Sequence, residues 1–98
     1  MQFVPEDPIH PGEVLNEDFL MEYGLAIEKA ASDLGVASGT LADIVNGSAP
    51  LTAEIALRLA RYFETSPEFW LNLQRSYDLS LALKSTAGLE NIHPVRAA

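Results

Sequence analysis

The chain contains no cysteine, which excludes disulfides and thiolate metal sites. Positive charge is scarce as well: six Lys and Arg stand against 14 Asp and Glu, a net charge of −8. That balance argues against a broad basic footprint for nucleic acid, which would neutralise phosphates with Lys and Arg, and suits a basic protein partner better. No stretch approaches the ~18 apolar residues of a membrane span. The opening MQFVPEDPIHPG also lacks the basic and apolar segments of a secretory signal, so a soluble, cytoplasmic protein is expected. His10 and His93 lie far apart, with no second His or helical carboxylate at ligand spacing, so no metal is expected. No Ser/His/acid set and no glycine-rich phosphate loop stand out, which predicts neither an enzyme nor a cofactor.

What is present is apolar patterning. With 98 residues, 48% of them apolar, the chain can bury one core, and a single small domain follows. Nothing alternates as a strand would, and helical periodicity recurs throughout. Its centre is IEKAASDLGVASGTLADIVN, residues 27–46. Ile27, Ala30, Ala31 and Leu34 fall at i, i+3, i+4 and i+7, one face of an amphipathic helix. Gly35 stops it at a position suited to left-handed backbone. Leu41, Ile44 and Val45 form a second stripe, ended by Asn46-Gly47. Two short helices meeting at a tight corner need a small residue at the crossing, a glycine at the turn and an aliphatic anchor beyond it. Ala31, Gly35 and Leu41 fill those places, so the segment reads as a helix-turn-helix.

The flanks supply three more helices. Residues 1–9, with Pro5 and Pro8, read as an extended arm. Pro11 suits the first position of a helix that runs to about Tyr23 and ends at Gly24, with Leu15 and Phe19 inward and Glu13, Glu17, Asp18 and Glu22 outward. Thr52 is a candidate N-cap for a fourth helix over residues 53–64, with Ile55, Ala56, Leu59, Ala60 and Phe63 inward. Ser66-Pro67-Glu68 combines an N-cap, a first-position proline and a first-turn acid, opening a fifth helix to about Lys84. That helix carries more apolar residues than one core face requires, so Trp70, Leu73, Tyr77, Leu79 and Leu83 are candidate dimer contacts. Residues 10–87 thus form the domain, and 88–98 read as a loosely held tail.

The blocks HPGEVL (10–15), LGVASGTLADIVNG (34–47) and PLTAEIALRLARYFETSPEFWLNLQRSYDL (50–79), with the spacing between them, resemble the HigA-type, VapI-like antitoxins of the Xre group. The resemblance covers roughly residues 8 to 83, and TSPEFWLNLQ is its most specific part. It implies an all-α, five-helix, lambda-repressor-like domain that forms a homodimer. Such a protein is expected to bind a double-stranded DNA operator, autorepress its operon and neutralise a basic, RelE-like ribonuclease toxin. On this reading the recognition helix presents Ala37, Ser38, Gly39, Thr40, Asp43 and Asn46, while Lys29, Arg58 and Arg61 are the nearby cations for phosphates. The chain departs from the family where polar or basic residues are common, holding Ala26 and Ile27, Ala37 and Ser38, and Asp43 there. Ile27 and Ala37 offer no side-chain hydrogen bond to DNA, and Asp43 is repelled by phosphates unless it accepts from a cytosine amino group. An alternative therefore keeps the fold but makes the helix-turn-helix structural, leaving a protein-interaction module.

Overall fold

Helix starts are set by residues whose side chains or ring geometry fit an exposed first turn. In the computed structural model, which describes residues 8–96, α1 opens at Pro11 behind His10, whose Nδ1 accepts the Gly12 N–H at 2.9 Å. It is α-helical over Pro11–Val14 and continues without a break as a π-helical turn over Leu15–Leu20. Then follow α2 (Ile27–Leu34), α3 (Ser38–Val45), α4 (Ala53–Phe63), α5 (Pro67–Ser85) and a single 3₁₀ turn, Leu89–Asn91. The described residues contain no strand. The Thr52 hydroxyl accepts from Ile55 N–H at 3.3 Å and the Ser66 hydroxyl from Phe69 N–H at 3.1 Å, so α4 and α5 start where the sequence signals place them.

The first helix differs from expectation. It leaves regular helix at Leu20 rather than Tyr23, and turns through residues 21–24. Met21 N–H donates to Asn16 O and Leu25 N–H to Leu20 O, both at 2.8 Å, spacings of five residues that widen the helix. The widened turn brings Leu15 and Leu20, five apart, into the core together. Phe19 is left half-buried against Phe63 and Trp70, with each ring centre 4.9 Å away.

The core is built from Leu15 and Leu20 of α1, Ala30, Ala31 and Leu34 of α2, Leu41 and Ile44 of α3, Leu51, and Ile55, Ala56 and Leu59 of α4, closed by Trp70. Trp70 is fully buried within the single chain, and its Nε1–H donates to Thr65 Oγ1 at 2.8 Å. It is therefore a core residue and not a dimer contact, because a side chain already enclosed and hydrogen-bonded has no surface to offer a partner. Backbone contact matters equally. A Cβ on Gly12 would lie 1.8 Å from Ile44 O, so α1 rests directly on the end of α3 and only glycine permits it. Across the bundle, the buried Gln74 accepts Leu51 N–H at 2.7 Å and donates to Asp78 at 2.9 Å, tying the loop after α3 to α5.

Residues 81–85, the last turn of the fifth helix, are exposed, and the described chain measures 55 × 21 × 21 Å. Leu79, Leu81 and Leu83 are exposed, whereas Leu73 and Tyr77 are half-buried, the latter edge-on to His10 with ring centres 4.8 Å apart. Of the N-terminal arm only Pro8 and Ile9 fall among the described residues, and Ala97 and Ala98 of the tail also lie outside them.

Candidate nucleic-acid interface

The corner between α2 and α3 is fixed from three sides. Gly35 adopts left-handed backbone (φ 74°, ψ 32°), and Val36 N–H donates to Ala31 O at 3.0 Å, closing the end of α2. Leu41 and Ile44 bury the inner face of α3 against the core. From α4, Arg58 Nη1 donates to the Leu34 carbonyl at 2.8 Å, while its Nε and Nη2 engage Glu54 at 3.2 and 3.1 Å.

That placement adds a role to the one expected for Arg58: its guanidinium holds the last carbonyl of α2 and pairs with Glu54, so it braces the corner. The Glu54–Arg58 pairing was visible as an i, i+4 spacing; the Leu34 contact, 24 residues away, was not. Lys29 and Arg61 are exposed. Lys29 pairs with Asp33 at 3.1 Å, and Arg61 sits in the last turn of α4.

Asp33 takes a second partner, because the Tyr62 hydroxyl donates to its Oδ2 at 2.6 Å. The Tyr62 hydrogen bond first, and Lys29 next, hold the Asp33 carboxyl below its ordinary 3.8. The same carboxylate, helped by partial burial, pushes the Tyr62 phenol above 10.0. Asp33 thus stays ionised near neutrality and balances Lys29 locally.

The six residues expected to meet DNA are each exposed: Ser38, Gly39, Thr40 and Asp43 on α3, Ala37 as its N-cap and Asn46 as its C-cap. The N-cap is Ala37, which has no oxygen on its side chain, and no side chain caps this helix. The first-turn N–H groups of Ser38, Gly39 and Thr40 therefore face solvent without a helical partner, the arrangement that receives an anion at a helix N-terminus. A Cβ on Gly39 would meet nothing within 4 Å, so the free fold leaves this side open. The Asp43 carbonyl accepts from Ser48 N–H, Ser48 Oγ–H and Ala49 N–H at 2.9, 3.1 and 3.2 Å, which fixes the far end of α3. Its carboxylate projects on the exposed side. Among the described residues no group of three His, Cys, Asp or Glu is placed to hold a metal ion, and no helix is long and apolar enough to cross a membrane.

A helix-turn-helix family profile matches residues 17–70, the segment that spans this corner. The chain belongs to the HigA-type helix-turn-helix family. Virulence-associated protein I of Dichelobacter nodosus is 39% identical over 87 residues, covering 89% of this chain and 81% of that protein. A solved structure of the Pseudomonas aeruginosa antitoxin HigA with higBA promoter superposes with a TM-score of 0.86 at 40% identity, covering 92% of this chain and 100% of that one. The antitoxin GraA in complex with its operator superposes at 0.88 with 36% identity, covering 99% of both chains. The all-α, five-helix arrangement is the fold of these HigA-type proteins.

Proposed function

We propose that this chain is a homodimeric, DNA-binding antitoxin of the cytoplasm that represses its own operon and neutralises a RelE-like ribonuclease toxin, acting by binding and not by catalysis. The observation that carries the DNA part is the exposed, uncapped first turn of α3 on a braced corner. It is supported by fold likeness to relatives solved with promoter and operator DNA. Ser38, Gly39 and Thr40 present backbone N–H groups to a phosphate, Asp43 and Asn46 face base edges, and Lys29 and Arg61 supply the outlying cations. Dimerisation through the C-terminal half of α5, where Leu79 and Leu83 are exposed and Leu73 and Tyr77 half-buried, sets the two α3 helices about 34–36 Å apart for successive major grooves.

Few cations face the duplex, so affinity falls below the ~10⁻⁸–10⁻¹¹ M of typical specific complexes and the salt dependence is shallow. The same shortage favours a second reading, in which the corner is structural and the acidic face of α1, with Glu13, Glu17, Asp18 and Glu22 exposed, meets a basic partner. Fluorescence anisotropy with the DNA upstream of the gene, at stated salt, separates the two. The DNA reading expects saturable binding to a palindromic fragment over a scrambled one, tightened by Asp43→Arg. Equal affinity for both fragments would leave the interaction module standing. Tightening at every sequence marks Asp43 as a bystander, whereas weakening at one base pair alone marks it as a cytosine reader.

A further inference from the structure

A second surface uses no residue of α2 or α3. Where the turn after α1 meets the end of α4, Tyr23, Leu25, Tyr62, Phe63 and Glu64 line a cleft of about 440 Å³. Its aromatic walls are held in place from behind. Tyr62 is tied to Asp33, and Phe63 packs against Phe19 with ring centres 4.9 Å apart. Tyr23 stacks on Phe63 at 5.6 Å and 21° yet remains 63% exposed.

Glu64 is the anomaly of this cleft. It is the only non-glycine among the described residues with positive φ (57°), at the C-cap of α4. Glycine is the residue that position favours, and a carboxylate there stands at the negative end of the helix dipole. Backbone strain and charge both oppose this residue, and such an outlier is a reason to look for function. Ring faces, a carboxylate and a helix C-terminus all attract cations, and flat aromatic walls suit a planar guanidinium better than an ammonium. The cations already on α4, Arg58 and Arg61, line the neighbouring cleft with Asp33 and leave this one open.

We propose that this cleft receives an arginine side chain from a basic protein partner, to which a chain of net charge −8 is complementary. This goes beyond the operator reading and does not depend on it. The test is an NMR titration of the full chain, observing aromatic ring resonances, with the blocked tripeptide Gly-Arg-Gly and matched peptides carrying Lys, Leu or Glu. The arginine peptide should shift the Tyr23, Tyr62 and Phe63 rings saturably, the lysine peptide more weakly and the glutamate peptide not at all. Glu64→Gln should weaken the arginine response several-fold. Glu64→Gly should do the same while leaving the thermal midpoint unchanged or raised, a pairing that a merely structural role for Glu64 does not give. An equal response to the leucine peptide, no ring shift with the arginine peptide, or an arginine midpoint unchanged in Glu64→Gln would overturn the assignment, and parity between lysine and arginine would overturn the choice of guanidinium.

Discussion

The same substitution, glycine to alanine, should have opposite signs at two positions in helices that touch. At Gly12 the new Cβ would stand 1.8 Å from Ile44 O and 2.7 Å from Ile44 C, where ordinary contact begins near 3.4 Å. The obstacle is backbone, which cannot swing aside as a side-chain tip can, so α1 and α3 must part. Overpacking of this kind costs about 3 kcal/mol. Alanine's helix propensity returns about 1 kcal/mol of that, leaving a net loss of roughly 2 kcal/mol. Against the ~5–15 kcal/mol that holds a small domain together, this is a large share. At ~4–8 °C per kcal/mol it lowers the melting midpoint by about 10–15 °C. At Gly39 nothing lies within 4 Å, and Gly39→Ala should stabilise the free protein by about 0.5–1 kcal/mol. It should also weaken operator binding, since the methyl group stands on the side of α3 that approaches the phosphate. Urea unfolding followed by Trp70 fluorescence measures both effects, because Trp70 is the single tryptophan and is fully buried. A Gly12→Ala protein within about 0.5 kcal/mol of wild type would refute the close α1–α3 approach, and a Gly39→Ala protein destabilised by more than about 1 kcal/mol would refute the open face of α3.

Arg58→Met should cost about 1 kcal/mol and speed amide exchange at Gly35 and Val36, because the half-exposed guanidinium no longer holds the Leu34 carbonyl; unchanged exchange there would leave the corner braced by packing alone. Tyr62→Phe tests the linkage at Asp33. Asp33 has a lowered folded pKa, so its contribution is present above its unfolded value and is lost as pH falls through the lowered one. Tyr62 has a raised folded pKa, so its contribution is present below 10.0 and is lost as pH rises through the raised value. Removing the hydroxyl should move the Asp33 midpoint up toward 3.8 in a carboxyl-carbon NMR titration and abolish the alkaline loss due to Tyr62; an unmoved midpoint would give Lys29 the leading part. Leu79→Lys with Leu83→Lys should convert a dimer to a folded monomer in sedimentation equilibrium, while a wild type that sediments as a monomer at tens of micromolar would remove the α5 interface.

Local signals account for what the sequence made legible. The stripes of α2 and α4, the Gly35 corner, the Thr52 and Ser66 caps and Pro67 all depend on neighbours within one or two helical turns, and each lies where periodicity put it. The outer face of α3 was legible for the same reason, since burying Leu41 and Ile44 turns Ser38, Gly39, Thr40 and Asp43 outward. What escaped depends on distant partners. Gly12 looks like an ordinary first-turn residue until α3 is laid against it. Arg58 reads as an exposed cation until the Leu34 carbonyl arrives from α2. Trp70 reads as part of the apolar excess of α5, and only the packing of Phe19 and Phe69 around it and the Thr65 hydroxyl decide for core. The π turn escaped because Leu15 and Phe19 satisfy the α period as well as Leu15 and Leu20 satisfy the wider one.

The overall charge of −8 and a DNA-reading role are compatible once the acids are located. Glu13, Glu17, Asp18 and Glu22 lie on α1 and the turn after it, Glu64 follows α4, and Glu68 opens α5. In α2, Glu28 is exposed in the first turn, and Asp33 is matched by Lys29 and Tyr62. The outer face of α3 carries one acid, Asp43, placed a turn beyond the N–H groups that would meet a phosphate. With a screening length of about 8 Å at physiological salt, acids on other helices weaken the approach of a duplex more than they weaken the docked contact. Local backbone dipoles and Asp43 then govern the bound state, while the acidic bulk governs which partners are drawn to the remaining surface. A chain arranged this way can present a reading face with a single acid to DNA and densely acidic faces to a basic protein at the same time, because the two sets of residues do not overlap.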